Sequence, residues 1–162
     1  MPDMLVKLYD LPTSFPLLDT LATAGVTVRP ARAPEKRLVT AWIEQHFGPS
    51  WAAEAEKGFA NTPVSTLLAV EGGALVGFAC YDATIRGFFG PTGVHEAQRG
   101  RGLGKALLFA ALHTMWEVGY AYAVIGSAGP TEFYAKAVGA TPIEGSTPGI
   151  YRGLLQDTGG AV

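Results

Sequence analysis

Gln98-Arg99-Gly100-Arg101-Gly102-Leu103-Gly104-Lys105 sets three alternating glycines among three cations, and no other stretch of the chain does so. Upstream, Gly87 to Val94 is an apolar, strand-like run; downstream, Leu103 to Val118 reads as a long, mostly apolar helix. The order strand, glycine loop, helix is one that binds phosphate. Glycine lets backbone N–H groups turn toward a ligand, and a helix start adds unpaired donors and the positive end of its dipole. Arg99, Arg101 and Lys105 add charge beside them, so a diphosphate is the expected guest. The competing reading is a glycine-rich connection needed only for tight packing.

Spacing separates the known phosphate loops. The dinucleotide pattern G-x-G-x-x-G begun at Gly100 would need glycine at Lys105, and no acid follows where Tyr120 to Tyr122 stand. The P-loop pattern aligned on Gly104-Lys105 would need glycine at Arg99 and a hydroxyl at Ala106. The pattern Q/R-x-x-G-x-G/A is met by Arg99, Gly102 and Gly104. There the sequence resembles the GNAT superfamily of acyl-CoA N-acyltransferases, in which this loop holds the coenzyme A pyrophosphate.

The chain of 162 residues, 48% hydrophobic and 16% charged, is long enough to bury one core, and one domain over 1–162 is expected. Twelve basic against 14 acidic residues give a net charge of −2, which offers no field for nucleic acid. The partner should be small. There is no membrane-length apolar run and no basic, apolar leader at Met1-Pro2-Asp3-Met4, and the single cysteine argues for a reducing cytoplasm.

Taken in order, Met4 to Leu8 reads as a strand and Phe15 to Ala24 as a helix with Ser14 as its N-cap, a strand-helix addition over 1–25. Val26 to Arg29 alternates like a strand. Ala33-Pro34 opens a helix whose Leu38, Val39, Trp42, Ile43 and His46 share a face, and Ser50 caps another from Trp51 to Phe59. Ser65 to Glu71 and Ala74 to Ala83 form a hairpin about Gly72-Gly73. Ala121 to Ile125 reads as a buried strand, and Pro130 starts a helix that Gly139 ends. Thr141 to Glu144 and Gly149 to Leu155 are expected to make a closing strand pair, before a frayed tail over 156–162. This order resembles the GNAT fold. The resemblance implies a mixed α/β sheet of about seven strands with helices on both faces, and a splayed central pair carrying Val94 and Ile125.

The same resemblance implies acetyl-CoA as co-substrate, no metal, and direct acetyl transfer to a primary amine on a small molecule, peptide or protein. Val94, Arg99, Gly100, Arg101, Gly102, Leu103, Gly104 and Lys105 would hold the coenzyme. Phe133-Tyr134-Ala135-Lys136 is similar to the family's F-Y-x-K element, so Tyr134 is expected to protonate the departing thiolate; the plainer reading is an aromatic packed on the sheet. Ser127 stands where the family often has asparagine and is expected to bond the pantetheine arm, while Val138 stands where it has glycine, with Gly139 next. The base is not named by the sequence, because the strand before the loop lacks the family's glutamate; Glu44, His46, Asp82 and Glu144 are candidates, each more often a surface group. That missing glutamate also supports a rival reading, an acyl-CoA-binding sensor without turnover. His95-Glu96 could pass for a base and its orienter, but neighbours on a strand point apart. Cys80, grouped by alternation with Val76, Phe78 and Asp82, reads as a buried structural thiol. Phe109 and Trp116 lie on or beside the Lys105, His113 and Glu117 stripe, where core packing is the default reading and a cover by the N-terminal segment or a homodimer contact the alternative.

Overall fold

The structure, a computed structural model, describes residues 1–159. Its elements are β1 (Met4–Lys7), α1 (Pro16–Thr23), β2 (Val26–Pro30), α2 (Lys36–Phe47), α3 (Pro49–Phe59), β3 (Thr66–Glu71), β4 (Ala74–Tyr81), β5 (Phe88–Val94), α4 (Leu103–Glu117), β6 (Tyr122–Ile125), α5 (Thr131–Val138) and β7 (Thr141–Pro142). They build one seven-stranded sheet in the order β2-β3-β4-β5-β6-β1-β7. Only β5 and β6 run parallel, joined by the crossover through α4; every other pair is antiparallel. Among the described residues no helix is long and apolar enough to cross a membrane.

Both faces of the sheet are covered, as the expected fold class requires. On one face Val39 and Ile43 of α2 and Ala52 and Ala55 of α3 pack on Leu68, Phe78 and Cys80. On the other, α4 lays Leu107, Leu108, Leu112 and Met115 against Leu67, Ala79 and Phe89, and Tyr134 of α5 joins that cluster. An apolar helix that is buried on several sides at once has no need of a narrow stripe, which is why α4 reads as almost uniformly hydrophobic.

Four expectations need correction. Leu38 is 71% exposed, because it stands about 100° around the helix from Val39 and leaves the apolar face. Val76 packs with the α4 side rather than with Phe78. Ala69 pairs with Gly77 but Val70 with Leu75, so β4 carries an extra residue there and the alternation flips. Neither Ser14 nor Ser50 caps a helix: α1 and α3 begin at prolines, behind Phe15 and Gly48, with no side-chain cap. The closing strand pair is absent, since Gly149–Tyr151 is a single 3₁₀ turn, and Gly145, Gly149 and Gly153 all take positive φ. Its place beside β7 is taken by β1, an inner strand that pairs Met4 with Ile125 on one side and Pro142 on the other. Of the tail expected over 156–162, residues 160–162 lie outside the described residues.

The N-terminal segment also accounts for the aromatics on α4. Phe15 stacks on Phe109 at 4.4 Å between ring centres, and Lys105 Nζ lies 5.8 Å from the Phe15 ring. Phe109 is thereby buried at 6% exposure, whereas Trp116 stays 46% exposed. The turn from β2 into α2 is fixed by a bidentate pair: Arg29 donates to both Glu35 oxygens at 2.8 and 2.7 Å. Arg32 N also donates to Glu35 Oε1, and these bonds hold the Glu35 carboxyl down at about 2.

Two predictions test this packing. Gly→Ala inside a helix ordinarily stabilises by about 1 kcal/mol. At Gly58 the new Cβ would collide with Thr66 Oγ1, whose hydroxyl donates to Ala55 O, and would lie 3.2 Å from Thr66 N. Gly58→Ala should therefore lose about 1–3 kcal/mol in urea denaturation. Cys80 is fully buried and burial pushes its thiol up to about 12, so a colorimetric disulfide reagent should label it only as fast as the native protein unfolds.

Candidate active site

Strands β5 and β6 are paired only at Phe88 with Val124 and Phe89 with Ile125. Beyond that point β6 stops while β5 runs on to Val94. Two local features end the pairing. On its other side β5 pairs Phe89 with Tyr81 but Thr92 with Ala79, so a bulge at Gly90-Pro91 turns the strand. On the β6 side, Ser127 takes φ +47, and its N–H donates 2.7 Å to Oδ1 of the buried Asp3. The strands part there, leaving the backbone of Gly90 to Val94 with no partner on the β6 side.

The glycine loop closes the far end of the opening. A 3₁₀ turn over Glu96–Gln98 leads from β5 to α4, whose N-cap Gly102 is left-handed at φ +80; Gly100 has φ +84. No side chain caps α4. Its first N–H groups consequently lack helical partners, and they start beside Val94, 3.8 Å from where a Cβ on Gly104 would stand, with the exposed Arg99 and Lys105 alongside. Leu103 is buried and contributes backbone only. Arg101 is engaged elsewhere: it donates to Glu71 of β3 at 3.2 and 2.5 Å and to Gln98. The glycines are not equivalent. A Cβ at Gly102 would meet Leu17 of α1 at 2.9 Å, so packing as well as conformation requires glycine there, whereas one at Gly104 would find only Val94 at 3.8 Å.

Tyr134 is buried at 7% exposure, its ring 5.1 Å from Phe133, and burial raises its phenol above the ordinary value. A phenol shifted upward stays protonated at neutral pH. Among the described residues its hydroxyl has no protein hydrogen bond, so that proton is free to be given.

None of the four candidate bases lines the splay. Glu44 and Glu144 are exposed, and His46 packs against His95 at 4.9 Å between ring centres beside α2. His95 is half-buried, and its Nδ1 accepts from Ala97 N. Asp82, at φ +52, is a structural brace. Its carboxylate accepts 2.7 Å bonds from Gly87 N and the Tyr120 hydroxyl, and its carbonyl accepts from Asn61. Burial and the Asp82 bond push Tyr120 up to about 12. Asp82 faces a larger cleft of about 670 Å³ that no residue of the glycine loop lines, where the buried Tyr81 hydroxyl has no partner among the described residues.

The cavity at the splay is smaller, about 330 Å³, and brings Gly90, Pro91 and Ser127 together with Glu54 and Tyr151. Glu54 Oε1 accepts from Thr84 Oγ1 at 2.5 Å. The Tyr151 hydroxyl lies 2.5 Å from where a Cβ on Gly126 would stand, so it rests on bare backbone; burial, then Glu54 and Asp3, raise its phenol. Sequence reasoning missed both residues. Trp51 and Glu54 lie three apart on α3 and so share a face, a spacing that could have pointed to Glu54; Tyr151 lay hidden in a segment read as strand.

The acetyltransferase (GNAT) family profile matches residues 31–140. No curated protein sequence matches the chain. Among solved structures it is similar to the GCN5-related glucosamine N-acetyltransferase region of a fungal multi-domain GH3 β-N-acetylglucosaminidase, with TM-score 0.72 and 14% identity over 88% of this chain and 19% of that one. It is similar also to a GCN5-related N-acetyltransferase from Sphaerobacter thermophilus (TM-score 0.66, 24% identity, 88% and 48%). A GNAT family acetyltransferase from Brucella melitensis, solved with acetyl-CoA, matches at TM-score 0.54 and 17% identity over 68% of this chain and 80% of that one. The chain spans about half or less of the first two of these structures. These likenesses carry the fold. With the splayed parallel pair and glycine loop inside a profile match that covers most of its length, this chain belongs to the GNAT acetyltransferase family.

Proposed function

We propose that the protein transfers an acetyl group from acetyl-CoA directly to a primary amine. The observation that carries this reading is the early parting of β5 from β6, which opens the edge of a strand that leads through the glycine loop into the uncapped N-terminus of α4. An extended, amide-bearing arm fits an open strand edge, and a pyrophosphate fits a helix start flanked by Arg99 and Lys105. When bound, acetyl-CoA supplies an activated acyl carbon and a thiolate leaving group.

The chain's own residues have separate parts. Backbone N–H groups from Gly100 to Lys105 bind the diphosphate, and Arg101 joins them on leaving Glu71. Val94 pairs its backbone with the arm, and Ser127 bonds it from the other side of the splay. Tyr134 holds a proton for the departing sulfur, and its raised pKa keeps that proton on the phenol at neutral pH. The direct test is thiol release from acetyl-CoA over a panel of amines. Amine-dependent release supports transfer, while acetyl-CoA binding with no release on any amine would favour a sensor.

Two variants separate binding from chemistry. Gly104→Ala introduces a good helix former where the free protein has room, so its Tm should be unchanged or higher. Its coenzyme A affinity, measured by calorimetry, should nevertheless fall by about tenfold as the methyl crowds the diphosphate cradle. Tyr134→Phe should lower kcat by about 10²-fold with acetyl-CoA affinity nearly unchanged; equal kcat values would remove Tyr134 from the reaction.

A further inference from the structure

Resting on the acetyl-transfer reading above, we propose that Glu54 is the base on the acceptor side, and that its cavity takes a small primary monoamine on an apolar or aromatic skeleton. The lining of that cavity holds one side-chain carboxylate, that of Glu54, and no basic side chain. Thr84 donates to Oε1 and leaves Oε2 to accept from an incoming N–H. The loop bearing Thr84 is itself braced by the Asp82 bonds to Gly87 and Tyr120, so the carboxylate is held by a fixed neighbour. Trp51, Phe89 and Tyr151 share the other walls with Met1, Pro91 and Ser127, and aromatic faces attract an ammonium while packing against its hydrocarbon.

The same lining says what is refused. An amino acid would bring a carboxylate toward Glu54 at a cost in repulsion and desolvation, and among the lining residues only the α-amino group of Met1 is a cation to receive it. A polyhydroxylated amine would leave hydroxyls facing rings. At about 330 Å³ the space is at the small end for ligand sites.

Protons and bonds balance as follows. The ammonium gives one proton to Glu54, which passes it to water. The neutral nitrogen then forms the C–N bond to the acyl carbon as the C–S bond breaks. The nitrogen loses its second proton to water in becoming an amide, and the sulfur takes the Tyr134 phenol proton, which water restores. Ammonium and thioester thus become amide, thiol and one free proton.

The test uses the full chain with acetyl-CoA. For the parent, kcat/KM should favour phenethylamine over phenylalanine by about tenfold or more, whereas equal or reversed preference overturns the acceptor class. Glu54→Gln keeps the shape and removes the charge. Its kcat/KM on phenethylamine should fall about 10²-fold and the phenethylammonium affinity of the coenzyme A-saturated protein by about fivefold or more, with coenzyme A affinity unchanged. Parent-like turnover or parent-like ammonium affinity overturns the role of Glu54. Should that variant not fold, Thr84→Val, which unties the carboxylate, should cost about tenfold in kcat, and no change overturns the proposal. A parent that binds coenzyme A but turns over no amine overturns the transfer reading itself, which the Glu54 result alone cannot do.

Discussion

The site depends on a hydrogen bond between two residues far apart in the chain: the buried Asp3 carboxylate accepts the N–H of Ser127. A non-glycine residue at positive φ costs on the order of 1–3 kcal/mol unless its surroundings hold it. Asp3 does so from β1's leading edge, and its own N–H is bound by Ser146 Oγ at 2.8 Å. If Ser127 relaxed to extended geometry, β6 could continue alongside β5 and zip the edge that the site needs open. The bulge at Gly90-Pro91 acts from the other strand to the same end.

Much of this was legible in the sequence because it is local. Gly72-Gly73 demands a two-residue turn, and Gly100 and Gly102 of the phosphate loop sit at positive φ while Gly104 is already helical. Gly139 ends α5 in the left-handed conformation expected of it. What failed was non-local. The extra residue at Val76 flips the alternation of β4 without any mark in its composition, and nothing in Gly149 to Leu155 announces that β1 already occupies the seat beside β7. The site splits in the same way. Arg99, Gly102 and Gly104 are close in sequence and could be read together, whereas Glu54, Thr84, Gly126 and Tyr151 meet only through the fold. The pairing of Arg101 with Glu71 is likewise a tertiary event.

Bracing and chemistry adjoin on the β4–β5 connection, where Asp82 serves the first and Thr84 faces the second. Asp82 and Tyr120 look like a reactive acid and phenol on paper, yet each satisfies the other and ties the β4–β5 connection to the end of α4. Tyr134 has the reverse arrangement, a ring locked in the core with an uncommitted hydroxyl. Burial raises both phenols, and the presence or absence of a partner separates a brace from a donor.

Because β1 lies between β6 and β7, it cannot find its neighbours until residues far downstream have been made; Met4 waits for Ile125 and Pro142. The antiparallel block of β2, β3 and β4 can pair as it emerges, since its partners are close in sequence. Assembly therefore divides into an early half and a late half, with loop closure across most of the chain left to the final step. Asp3 travels with the late strand. The pocket forms when β1 meets β6, so a nascent or half-folded molecule holds the β-hairpin and the glycine loop without the turn that opens the site.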